Sequence, residues 1–276
     1  MIAGDSVVIF DPSARRLTVL DAGGKFVRNV PLNGVLNSLA GPGPAGGWIG
    51  ALPTQMRGDP PTSGTMRGDV AYGLVSPDGS TVTDTIARFP GNERHVRITQ
   101  SGGQITSVEI MAAPFDRSST VRLRGDALIV GTQDAPELRV YSLDGTLRRI
   151  IRTATALTPI TQEHIDRVIA RQVAGQPEDR AKQIRQSMTD LNTVKFLPPY
   201  GTFLIDRSGN IWLQDHPALQ DTQRWTVFDG DGALIARVAI PDKFTPYDIG
   251  ADWIAGRELD DLEVEHARVY RIVKTN

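Results

Sequence analysis

Four histidines, His95, His164, His216 and His266, are the only imidazoles in the chain, and no two stand at zinc-motif spacing. Cysteine is absent, which removes disulfides, thiolate metal sites and a cysteine nucleophile together. No Gly-x-Ser-x-Gly elbow, phosphate-binding loop or HExxH sequence occurs. Gly41-Pro42-Gly43-Pro44-Ala45-Gly46 matches the letters of a dinucleotide fingerprint. Its prolines are unsuited to a phosphate-cradling turn, and it reads instead as a loop between repeat units. Asp229-Gly230-Asp231-Gly232 begins like a calcium loop, yet the twelfth position from Asp229 is Ile240 where a bidentate Glu is needed, so a hairpin turn explains it. The acidic stretch Glu258, Asp260, Asp261, Glu263 and Glu265 reads as a solvated turn between two strands.

The elements that must position any site are repeated. Arg15 to Leu32 (RRLTVLDAGGKFVRNVPL), Pro136 to Thr153 (PELRVYSLDGTLRRIIRT) and Gln223 to Ile240 (QRWTVFDGDGALIARVAI) are copies of one hairpin, each an alternating strand, a turn containing Gly24, Gly145 or Gly232, and a second alternating strand. Val70 to Phe89 is a weaker copy turning at Pro77-Asp78-Gly79. A further short strand stands before most hairpins, at Asp5 to Asp11, Gly46 to Leu52, Asp126 to Thr132, Gly209 to Asp215 and Asp252 to Arg257, which makes five units. The turn glycines stand 55, 66 and 87 residues apart, the last gap falling to about 54 once an insertion of about 33 residues is set aside, a period that fits four-stranded propeller blades better than a sandwich or a solenoid. The expected fold is therefore all-β, a β-propeller with about five blades present, forming a single domain over 1–276.

Within the insertion, 161–193, the period changes from two to nearly four. Ile165, Val168, Ile169 and Val173 form one apolar stripe and Ala181, Ile184, Met188 and Leu191 another, which predicts two helices. Thr161 suits the first N-cap, Gly175 the end of the first helix and Pro177 the first position of the second. Such a hairpin either packs on a blade with its charged face in solvent or forms a lid over one mouth of the central channel.

At the N-terminus the first unit starts at its second strand, with no innermost strand before Ser6; at the C-terminus Glu265 to Lys274 reads as a third strand with no fourth. The expectation from the ends is an N-terminally truncated ring whose remaining blade lies upstream of Met1.

The runs DRSGNIWLQD (Asp206 to Asp215), RWTVFDGDG (Arg224 to Gly232) and IGADWIAGRELDDLEVEHARVYRI (Ile249 to Ile272) resemble bacterial six-bladed β-propeller proteins of the NHL-like and TolB-like kind. The resemblance covers nearly the whole chain and is strongest after Tyr200. It implies a six-bladed ring, an upstream blade and export to a periplasmic or extracellular setting. It carries no catalytic residues over, since the matching motifs are turn and strand signatures.

In a propeller the ligand-binding surface is the channel mouth, lined by inner strands and the loops that join them. The candidate inner strands are Thr120 to Arg124, Thr202 to Asp206 and Tyr247 to Gly250, which place Arg122, Tyr200, Asp206 and Asp248 at the channel or its rim. His216, beside Asp215 at a strand end, is the histidine best placed to join them. Thirty Lys and Arg against 32 Asp and Glu leave a net charge of -2, with no global field to attract nucleic acid, and no apolar run is long enough to span a membrane. The functional expectation is a non-catalytic binding or interaction propeller, monomeric, whose partner is a small molecule, a glycan or a protein, with no cofactor. The alternative is a metal-dependent hydrolase or lyase of the propeller lactonase type, with a divalent cation held in the channel.

Overall fold

The structure is a computed structural model and describes residues 2–3, 5–53, 63–190, 194–219 and 222–273. Leu191, the end of the helical insertion at 191–193 and Lys274 lie outside these described residues.

Antiparallel meanders follow one another along the chain. The first blade comprises β1 (Ile2–Ala3), β2 (Ser6–Asp11), β3 (Arg16–Asp21) and β4 (Phe26–Pro31), hydrogen-bonded in that order. Contrary to the expectation that no innermost strand precedes Ser6, β1 pairs Ile2 with Val7 and Ala3 with Ser6. The second blade is β5 (Ser38–Pro42), β6 (Trp48–Ala51), then, beyond the short β7 (Gly64–Met66), β8 (Asp69–Val75) and β9 (Val82–Pro90). After a hairpin of β10 (Arg94–Ser101) and β11 (Gln104–Met111) comes the third blade, β12 (Thr120–Arg124), β13 (Ala127–Gly131), β14 (Glu137–Ser142) and β15 (Leu147–Arg152). Two helices follow, α1 (Gln162–Val173) and α2 (Glu178–Asp190). The fourth blade is β16 (Phe203–Ile205), β17 (Ile211–Gln214), β18 (Gln223–Phe228) and β19 (Leu234–Ile240), and the fifth is β20 (Phe244–Ile249), β21 (Trp253–Leu259) and β22 (Glu265–Arg271).

The blades stack face to face, which makes this a β-propeller arrangement. Apolar residues on alternate strand positions fill the gap between each consecutive pair. Leu17 and Val30 of the first blade meet Trp48 and Val75 of the second. Ile49 and Phe89 meet Val121 and Leu128, Ile129 and Leu138 meet Phe203 and Ile211, and Trp212 and Trp225 meet Phe244 and Ile254. Burying such side chains contributes about 1.5 to 3 kcal/mol each. Innermost strands therefore come side by side, with β12 between β5 and β16.

The turn glycines show why the repeat is visible in sequence. Gly79, Gly145 and Gly232 each take a positive φ, which a side chain adopts only at a cost. Each also abuts the outer strand of the preceding blade: a Cβ at Gly79 would stand 2.4 Å from the carbonyl of Pro31, at Gly145 2.9 Å from that of Ile86, and at Gly232 3.3 Å from Ile151. Gly24 of the first blade has the same φ and meets nothing within 4 Å. Gly41 to Gly46 is not a loop between blades: Pro42 ends the inner strand β5 and Pro44–Gly46 turns directly into β6 of the same blade.

The β10–β11 hairpin lies outside the repeat. It adds β7 as a third strand, with Thr65 opposite His95. His95 is buried; its Nε2 is 2.8 Å from Asp116 Oδ1 and its Nδ1 is 3.3 Å from Thr65 Oγ1. The Thr, His, Asp succession has the order of a nucleophile triad, but the ladder accounts for it, because Thr65 is the cross-strand neighbour of His95. A second tether joins the segment to the third blade: Glu93 accepts from the Arg117 N–H at 2.7 Å and its Nε at 3.0 Å, and Arg117 and Arg67 share Asp134 at 2.8 and 2.5 Å.

Candidate functional site

Four inner-strand positions share one register. Ser38 pairs with Ala51, Thr120 with Gly131 and Thr245 with Arg257, while the Thr202 carbonyl accepts from Gln214 N–H. A hydroxyl therefore recurs at the equivalent place in four blades. The Oγ1 atoms of Thr120 and Thr202 lie 3.3 Å apart, and Ser38 Oγ is 3.4 Å from Tyr72 Oη. Two residues along β12, on the same strand face as Thr120, stands Arg122. One Nη donates to the Val121 carbonyl at 2.9 Å, and no carboxylate partner is found for Arg122 among the described residues. Burial pushes its guanidinium below the ordinary arginine value, partly offset by Tyr72, without neutralising it.

Beside this strand opens a cleft of about 830 Å³. Arg122, Thr202 and Leu204 line it from the inner strands of the third and fourth blades and their approaches, Thr245 and Tyr247 from the fifth, and Arg171 with Ala174 from the end of α1. The helical insertion thus supplies one wall of the cleft. Its seat is built as the pattern demands. Thr161 caps α1 in a reciprocal pair with His164, Ile165 and Val168 pack on Phe115, Leu197 and Ala218, and Gly175 takes a positive φ beyond the helix. Pro177 stands just before α2, its carbonyl accepting from Ala181 N–H.

The other cations of the cleft have acidic partners. Arg171 donates to the Pro217 carbonyl at 2.7 Å and approaches Asp242 to 3.9 Å, and Lys243 Nζ is 2.9 Å from Asp261. Gln223 holds the passage between the fourth and fifth blades, donating to the carbonyls of Asp242 and Phe244 at 2.9 and 2.7 Å while accepting from Gln214 at 3.1 Å. Trp225 forms part of the cleft wall and also borders a second cavity; it is 2% exposed, and its Nε1 has no hydrogen-bond partner among the described residues. A buried donor left unpaired costs about 1 to 3 kcal/mol, so it marks a place where a further acceptor belongs.

Of the five residues singled out in the sequence, Arg122 alone lines this cleft. Tyr200 is buried between the third and fourth blades, accepting from Gln133 N–H at 3.1 Å, and burial pushes its phenol up to about 12. Asp206 is buried and organises a turn, accepting from the N–H groups of Ser208 and Asn210 at 2.9 and 2.8 Å, the Asn210 amide at 2.9 Å and Trp212 Nε1 at 3.0 Å. His216 lies under α1, its Nδ1 accepting from Ala218 N–H at 3.2 Å. Asp248 pairs bidentately with Arg207 at 3.1 and 2.6 Å, and Arg207 stacks 4.9 Å over Trp253. The hydroxyl row and Trp225 were missed, although aligning the repeats on their second strands exposes the hydroxyls. Among the described residues no three of His, Cys, Asp and Glu come together as a metal-holding group, and no helix is long and apolar enough to cross a membrane.

Glu263 borders the cleft at the β21–β22 turn and holds φ 61°, where the other turns of the same hydrogen-bonding pattern carry glycine. Replacing Glu263 by glycine is expected to raise stability by about 0.5 to 1 kcal/mol, read by urea unfolding.

No protein-family model matches the chain, and no curated protein sequence matches it. Solved structures similar to it include hydrazine synthase of Kuenenia stuttgartiensis, at 8% identity and a TM-score of 0.43 over 99% of this chain and 60% of that one. A member of the DUF4221 family from Bacteroides vulgatus is 11% identical with a TM-score of 0.43, covering 97% of this chain and 76% of that one. AztD of Citrobacter koseri is 11% identical with a TM-score of 0.40, covering 94% and 64%. The chain thus spans less than two thirds of the hydrazine synthase and AztD chains. No residue correspondence follows at such identities, and the propeller assignment rests on the blade order and packing described above.

Proposed function

We propose that this chain is a non-catalytic binding propeller that takes a small ligand into the cleft between the inner strands of its last three blades and the end of α1. The observation that carries this reading is the cleft itself: its volume falls in the range of small-molecule sites, and its lining mixes apolar surface with a few polar groups, among them Arg122, for which no carboxylate partner is found among the described residues. The helical hairpin acts as a fixed wall, since Arg167 and Arg171 tie α1 to the carbonyls of Ala218 and Pro217 at 2.5 and 2.7 Å. We read the blades as part of one six-bladed ring. The support is the face-to-face packing of successive antiparallel blades along the chain.

The test is a fragment screen followed in ¹⁵N–¹H spectra. Saturable shifts confined to the amides of Thr202, Thr245 and Tyr247 and to the Trp225 indole are expected. Hits that shift only residues of the β10–β11 hairpin or of the outer strands would contradict the assignment.

A further inference from the structure

We propose that the ligand of this cleft carries an anionic group, a carboxylate or a phosphate monoester, which seats on Arg122. The inference rests on the cleft being the binding site. Arg122 is held on an inner strand among packed blades, where a charge without a counter-ion is costly. Among the described residues it finds one backbone carbonyl, at 2.9 Å, and no carboxylate. The two acids that line the cleft stand by other cations: Asp242 faces Arg171 at 3.9 Å, and Glu263 lies near Lys243, which Asp261 also engages. An uncompensated guanidinium remains, with donors in a fork that matches two oxygens of one anion. Thr202 and Thr245 bring hydroxyls from the inner strands to the same space, and Trp225, whose buried indole N–H has no acceptor among the described residues, forms part of its wall. Leu204, Pro246, Tyr247 and Leu259 give the apolar body of the ligand its surface. Asp242 and Glu263, which also line the cleft, oppose a second negative group, so the ligand is a compact anion with one charged head and an apolar body. The lowered value of the Arg122 guanidinium agrees, because a bound anion would restore it.

Four probes of one shape separate the possibilities: benzoate, phenyl phosphate, benzyl alcohol and benzylammonium, each titrated while the amides of Thr202 and Thr245 and the Trp225 indole are followed. At least one of the two anions is expected to bind about tenfold or more tightly than benzyl alcohol, with benzylammonium weakest. The difference between benzoate and phenyl phosphate tells which head the site prefers. Arg122→Gln is expected to bring both anions to the level of benzyl alcohol, and Arg122→Lys to restore part of the difference. Arg122→Gln is expected to melt no lower than the parent, since it removes a desolvated charge without a counter-ion, whereas Arg122→Lys keeps that charge. Benzyl alcohol binding as tightly as the anions, or anion affinity unchanged in Arg122→Gln, would overturn the anion assignment and leave the cleft as a binding site. No shift in these signals from any of the four probes would overturn both.

Discussion

Glu93→Ala is expected to cost about 3 kcal/mol, because it removes the acceptor of a buried, charge-assisted tether. Glu93 is 3% exposed and takes the Arg117 backbone N–H as well as its guanidinium. Without it the Arg117 N–H loses its partner, and the network through Asp134 to Arg67 loses one end. Glu93→Gln keeps an acceptor and should cost about half as much. Equilibrium urea unfolding reads both. For the Glu93 carboxyl, burial alone would raise the pKa, but the Arg117 hydrogen bonds and charge outweigh burial and hold it below the usual carboxylate range. A depressed carboxylate contributes stability above its unfolded value of 4.5, and this is lost only as pH falls through the lower folded value. The difference between parent and Glu93→Gln should therefore be constant from pH 7 to 5 and shrink only in stronger acid.

Between pH 6.5 and about 4 a different group governs stability. His216 is 8% exposed, and burial, reinforced by the positive charges of His164 and Arg171, pushes its imidazole down to about 4 from 6.5. In that window the unfolded chain takes up a proton that the folded chain refuses, so stability falls as pH falls. At about 1.4 kcal/mol per pH unit the loss approaches roughly 3 kcal/mol by pH 4. His216→Asn keeps an acceptor for Ala218 N–H and has nothing to protonate, so its stability should be nearly flat over the same range apart from the carboxylates. A parent curve that is equally flat would show that His216 is freely protonated in the fold. Because His216 packs on Phe115 and Ala218 of the cluster that seats α1, its protonation should also loosen the cleft wall that carries Arg171.

The blades were legible because three physical demands coincide at the turns of the second, third and fourth blades. The chain must reverse between the third and fourth strands, the turn needs a positive φ, and the neighbouring outer strand leaves little room for a Cβ. Glycine answers the last two at once, so Gly79, Gly145 and Gly232 repeat where core residues vary. The β10–β11 hairpin was not read, although Gly102-Gly103 marks its turn. Ile105, Val108 and Ile110 are all exposed, so its alternation marks no buried face and it belongs to no repeat. The site was only partly legible. Arg122 announced itself as a charge on an inner strand. Asp206, which looks equally functional in sequence, spends its acceptors on a turn, and which of two such residues lacks a partner depends on contacts from other blades. Trp225 is a core residue by every sequence criterion, and only its unpaired Nε1 sets it apart.

The most direct test of the account is to soak crystals of the intact chain in a library of small aromatic and aliphatic acids and alcohols and see where density gathers. Bound fragments are predicted in the cleft between Arg122, Trp225 and Tyr247, with their oxygens toward Arg122. Fragments that collect instead in the separate cavity bordered by Arg224 and Arg237, leaving Arg122 untouched, would contradict it.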